Sequence, residues 1–187
     1  MMRGIRLLLL AALAVGCSDG AEPTTPAMET VEAPAAAATH GDHPSDARRG
    51  PDDGGWQIEL LRLATLPFHD FALAGKLGWG TKLTECFSDR AGGMGYHYGN
   101  TALLDGKVEP LRPEIALYEP QKDGTLRFVA VEYAVPFTAW TKSEPPSVFG
   151  QPFHRNEQFQ LWVLHVWHVQ KNPRGTFSDW NPTVRCR

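Results

Sequence analysis

Apolar positions change their period along the chain. From Trp56 to Leu77 they recur mostly at steps of three and four, at Ile58, Leu61, Ala64, Phe68, Phe71 and Ala72, the spacing of one helical face. Asp52 and Asp53 precede this run, near the positive end of a helix dipole. Gly75 and Gly78 suit its termination. Pro67 removes the bond to the Leu63 carbonyl. The pattern therefore predicts a helix over 56–77 with a kink, or two shorter helices with Thr65 capping the second.

Beyond Gly78 the period shortens to two. Met94-Gly95-Tyr96-His97-Tyr98 alternates, and Glu114–Glu119 follows Pro113 and ends at Pro120. Lys122-Asp123-Gly124-Thr125 carries an Asp-Gly turn signal. The β-rich run Leu126–Val135 then stops at Pro136. The pair 114–119 and 126–135 reads as a hairpin. Phe137–Phe153, with Pro145, Pro146, Gly150 and Pro152, reads as an ordered loop. Gln160–Val169 is apolar on both faces, as in a central strand covered on both sides. Helix first and strands after imply an α+β domain: an N-terminal helix packed on a small antiparallel β-sheet.

Composition divides the 187 residues into three parts. Arg3 and Arg6 give a positive start, and Leu7–Leu13 a short apolar core; together they make an export signal. That apolar run is too short to span a bilayer as a helix. Ala14-Val15-Gly16-Cys17 resembles the lipobox of bacterial lipoproteins, with Ala14 where that family most often has Leu. The resemblance implies a signal peptide over 1–17 and lipidation of Cys17. Ser18, rather than Asp, follows the cysteine, which implies anchoring at the outer membrane. Residues 18–53 mix Pro, Ala and Thr without apolar periodicity and hold no aromatic residue. Such an acidic segment buries too little apolar area to offset its chain entropy, so it reads as a disordered tether. As a coil it would reach roughly 30–35 Å.

Residues 54–187 form the single folded domain in this reading. They hold all 6 Trp, 9 Phe and 4 Tyr, enough to build a core. Lys plus Arg is 18 and Asp plus Glu is 21 over the whole chain. No basic excess is present to follow a phosphate backbone, which argues against nucleic acid as a partner. Cys86 and Cys186 remain after Cys17. In an oxidising compartment they are expected to form a disulfide; a metal-binding or reactive thiol pair is the alternative.

Several short runs within the domain resemble a group of uncharacterised exported bacterial proteins. They are Gly93-Met94-Gly95-Tyr96-His97-Tyr98, Leu117-Tyr118-Glu119-Pro120, Val131-Glu132-Tyr133, Leu164-His165-Val166-Trp167 and Asp179-Trp180-Asn181-Pro182. The likeness runs from about 56 to 187 and implies no activity. Pro67 departs from that pattern.

Chemistry could reside in the five domain histidines, His69, His97, His154, His165 and His168. On a regular strand His165 shares a face with Leu161, Val163 and Trp167, and His168 lies on the other. Glu132 interrupts an apolar run, where a carboxylate is expensive unless paired. One reading is a mononuclear metal site on His97, His165 and Glu132, with His69 as a fourth or supporting group. Such donors suit zinc, iron or copper. Spacing speaks against it: there is no H-E-x-x-H and no histidine pair on one strand face. The alternative is a set of structural histidines in a non-catalytic ligand-binding or envelope-interaction module. Its aromatic pocket would draw on Tyr96, Tyr133 and Trp167, with Glu119 as a polar contact. No nucleophile elbow occurs. Gly92-Gly93-Met94-Gly95 reads as a tight backbone approach beside Tyr96, since it does not open a helix after a strand.

Overall fold

The computed structural model describes residues 55–186. The expected signal peptide, Cys17 and the tether over 18–53 lie outside the described residues. The fold is mixed α+β, with short helices and an antiparallel sheet. No helix among the described residues is long and apolar enough to cross a membrane.

The predicted helix breaks in three. Helix α1 spans Gly55–Ala64, a 3-10 turn spans Leu66–His69 around Pro67, and α2 spans Phe71–Lys76. Pro67 sits in the first turn of the 3-10 segment, where its missing N–H is tolerated. The predicted Thr65 cap is not made. Its hydroxyl bonds instead to the Leu61 carbonyl (2.8 Å) and lies 2.8 Å from Nε2 of His168. Asp70 caps α2, accepting from the Leu73 amide at 3.1 Å.

The sheet is larger than the sequence pattern implied. The strands are β1 (Thr81–Lys82), β2 (Phe87–Asp89), β3 (Gly92–Gly99), β4 (Ile115–Pro120) and β5 (Leu126–Pro136). Then follow β6 (Ser147–Val148), β7 (Gln151–Pro152), β8 (His154–Asn156) and β9 (Leu161–Val166). Seven of them make one sheet in the order β1-β3-β4-β5-β9-β8, with β2 also on β3, and β6 and β7 pair separately. The predicted hairpin is β4–β5, which closes through the Asp123-Gly124 turn. The ordered loop 137–153 contains the small β6–β7 ribbon.

Two layers cover the sheet. On one face Leu61 and Phe68 from the helices meet Tyr118, Phe128, Tyr133 and Leu164. On the other, Leu117, Ala130, Trp167 and Val184 pack together, beside a smaller group of Ile115, Ala134 and Val163. The β4–β5 register shifts so that Leu117 opposes Ala130 while Tyr118 opposes Phe128. Val129 is therefore an extra residue, a bulge that changes which face the following side chains occupy. Phe128 faces the helices, whereas Ala130 and Glu132 face away. Gly95 allows β3 to approach β4: its φ is +89°, and a Cβ there would lie 2.4 Å from the Tyr118 carbonyl oxygen. That is the tight approach expected of the glycine run.

Glu114 carries a pH dependence. It is buried just before β4 and accepts a hydrogen bond from the Ala134 amide (3.0 Å). Burial, above all, pushes its carboxyl up to about 8. The folded state thus keeps a proton that the unfolded chain releases near pH 4.5. The contribution of Glu114 to stability is expected to fall as pH rises from about 4.5 to about 8. Glu114→Gln is expected to abolish this contribution and add up to about 4 kcal/mol at pH 8. Urea unfolding of both proteins across that window checks it, and parallel pH profiles would refute it.

Candidate metal centre

Cross-strand pairing builds the cluster. Glu132 of β5 stands directly opposite His165 of β9. The alternation of β5 beyond the bulge turns both side chains away from the helices. His97 of β3 pairs with Leu117 of β4, so it lies two strands from Glu132 on the same face. Its ring reaches across β4. Nε2 of His97 comes within 3.5 Å of one Glu132 oxygen, and Nε2 of His165 within 3.9 Å of the other. The two imidazoles are edge-to-face with centroids 6.0 Å apart. One donor atom from each of the three residues lies within 4.8 Å of the others, and all three side chains are buried.

Both rings are held from behind. His165 donates its Nδ1–H to Asp179 Oδ1 at 3.1 Å. This holds the ring by Nδ1 and turns Nε2 toward Glu132. That Nε2 is buried and has no hydrogen-bond partner among the described residues. The Thr84 hydroxyl lies 2.9 Å from Nδ1 of His97. His97 is neutral, and donation from its Nδ1–H to that oxygen leaves Nε2 as the inward lone pair. The second oxygen of Asp179 lies 3.3 Å from Nε2 of His154, a half-exposed histidine. Trp167 stacks on the His165 ring, at 6.5 Å and 11° between planes.

Charge follows from burial. Burial, reinforced by His165, pushes His97 down to about 3, so this imidazole is neutral at neutral pH. Burial raises the Glu132 carboxyl. It also works against protonated His165, but Glu132 and Asp179 outweigh it and raise that pKa. Asp179 stays below its ordinary value: burial lifts it, while the His165 hydrogen bond and the nearby histidine charges pull it lower.

A cavity of about 320 Å³ opens over the cluster. His97 and Glu132 form its polar edge, and Leu83, Phe87, Phe159 and Leu161 contribute to its wall. His165 does not line it.

The structure thus brings His97, His165 and Glu132 together and leaves His69 out. His69 is exposed and sits edge-on to Phe128, with centroids 5.4 Å apart, on the helix side of the sheet. The Val129 bulge is the reason. It turns Phe128 toward the helices and Glu132 away from them, so His69 and the cluster are separated by the sheet. His168 is also on the helix side, as the alternation of the strand implied, bonded to Thr65.

The expected aromatic pocket does not assemble. Tyr133 is buried on the helix-facing side of the sheet, its ring against Phe149 and Phe153 and its hydroxyl donating to the Pro110 carbonyl. Tyr96 is half-buried beneath the Lys82 ammonium. Trp167 packs behind His165, with its indole N–H donating to the Ser178 carbonyl (2.6 Å). Glu119 is committed to Arg127 and to the Arg185 amide (2.8 Å). None of these four lines the cavity over the cluster. The residues that do, Phe87 and Phe159 among them, lie in short irregular segments with no periodic signal. Asp179 and Thr84 escaped the sequence reading for the same reason. The one available hint was Asp179 in an Asp-Trp-Asn-Pro run soon after His165.

No family model, curated protein or solved structure matches the chain.

Proposed function

We propose that the domain binds one divalent transition metal ion (zinc, iron or copper) on His97, Glu132 and His165. The observation that carries this reading is His165 Nε2: a buried nitrogen, on a ring oriented by Asp179, with no hydrogen-bond partner among the described residues. A buried polar atom without a partner is unfavourable, and an ion in the middle of the cluster removes the cost. Asp179 behind His165 supports it further, because metal-bound histidines usually give their second N–H to a carboxylate. Donors around one ion lie about 3–3.5 Å apart. Loading would therefore draw the three inward by about 1 Å. A bound ion would act there as a Lewis acid toward a molecule in the cavity. This chain's part is to fix the donors, exclude water and shape the approach.

Metal analysis of the purified protein is the test. We expect about one ion per chain, and its loss in the His97→Ala and His165→Ala variants with the fold retained by circular dichroism. A folded protein that binds no zinc, iron or copper would leave the non-catalytic ligand-binding module, with structural histidines, as the function.

In the same reading the protein is an exported lipoprotein, anchored through Cys17 to the outer membrane, with the domain on an acidic tether. Leu7–Leu13 and the small residues before Cys17 support this, and the Cys86–Cys186 disulfide is compatible with export. Cys17→Ser is expected to move the protein from the membrane fraction to the soluble fraction; unchanged membrane recovery would count against the anchor.

A further inference from the structure

The cavity over the cluster has a composition that selects a ligand class, an inference that rests on the metal reading above. At about 320 Å³ it stands at the small end of ligand pockets. Among the described residues no Lys, Arg or Asp lines it, and the only ionisable groups in its lining are His97 and Glu132 themselves. Thr84 and Asn156 are the other polar side chains of the lining. Thr84 is engaged with His97, and Asn156 Oδ1 accepts from the Phe159 amide at 3.3 Å. A sugar or a phosphate ester would leave most of its polar atoms without partners here. An apolar body would not. Phe87 and Phe159 face each other with centroids 6.3 Å apart, and Phe159 is partly exposed. Ile115 and Val163 lie deeper, both buried. His165 holds its donor from outside the cavity, so the free side of an ion on the cluster faces this apolar space.

We propose that the cavity takes a small uncharged molecule with an apolar body and a single lone-pair donor atom. The donor faces the ion held by His97, Glu132 and His165, and the body lies against Phe87, Phe159 and Leu161. Asn156 is the one further polar contact available to such a molecule.

The test uses the purified full chain loaded with Co²⁺, whose visible absorption reports changes among its donors. Imidazole and 4-phenylimidazole present the same nitrogen and differ in apolar body. The phenyl compound is expected to bind about 30–100-fold more tightly, from the area it buries. Phe159→Ser, at the exposed edge, is expected to remove most of that advantage. Equal affinity for the two compounds on a Co²⁺-loaded protein would overturn the ligand class and leave the metal centre standing. Tighter binding of inorganic phosphate than of 4-phenylimidazole would do the same. Failure to take up one Co²⁺ per chain, or uptake unaffected by His97→Ala, would overturn the metal centre and this inference together.

Discussion

Glu132→Gln is expected to move two measurements in opposite directions: metal affinity falls by about 100-fold, while the metal-free protein becomes more stable. The loss of affinity follows from removing the one carboxylate donor among three ligands. The gain follows from what that carboxylate does without an ion. Glu132 is buried, and its contacts to His97 and His165, at 3.5 and 3.9 Å, are too long to be good hydrogen bonds. Burial raises its pKa, so ionisation at neutral pH is a cost carried by the folded state. A neutral amide of the same shape relieves that cost. A purely structural cluster behaves differently, because there the carboxylate partners two imidazoles and its removal destabilises. Urea unfolding of both proteins in chelator, with metal titration alongside, separates the cases. A destabilised Gln variant would identify the cluster as a structural network.

The periodic parts of this chain were legible and the irregular parts were not. Leu126–Val135 and Gln160–Val169 read as strands because they are short apolar runs rich in β-branched and aromatic residues, bounded by turn signals. Their antiparallel pairing then set Glu132 opposite His165. Thus two of the three donors came from strands that pattern alone could find. His97 came from a third, Gly92–Gly99, whose alternation is equally plain. Which face each donor occupied was harder. The Val129 bulge carries no signal in an apolar run, yet it decides that Glu132 meets His97 and not His69. Thr84, Asp179 and Phe159 depend on long-range placement of short segments, and long-range placement is not written in any local period. The helix shows a milder version of this limit. Pro67 announced an interruption, but the tertiary bond between Thr65 and His168 decided where Thr65 would spend its hydroxyl.

Cys86→Ser with Cys186→Ser is expected to cost about 4–5 kcal/mol of stability, the chain-entropy value for a loop of this size. The bond joins residues 100 apart in sequence. It links the segment before β2 to the end of the described chain. The C-terminal segment is also tied by non-covalent contacts. Asn181 exchanges backbone hydrogen bonds with Gly93, both at 3.0 Å. Val184 is buried against Leu117 and Trp167, and the Arg185 amide donates to Glu119. These contacts exist only in the folded state, and none replaces a covalent closure of the unfolded chain. For a domain of this size the loss corresponds to roughly 12–20 °C in Tm. The segment also carries Asp179, which orients His165. Weakening its anchorage is therefore expected to reduce metal affinity by about 10-fold, the lower range for loss of such a partner. Calorimetry and metal titration on the double variant check both parts. A Tm within a few degrees of the parent would mean that packing of Val184 and the Gly93–Asn181 bridge already hold the segment, and affinity should then be unchanged. A large drop in Tm with intact affinity would instead separate the brace from the centre, leaving Asp179 positioned by its own turn.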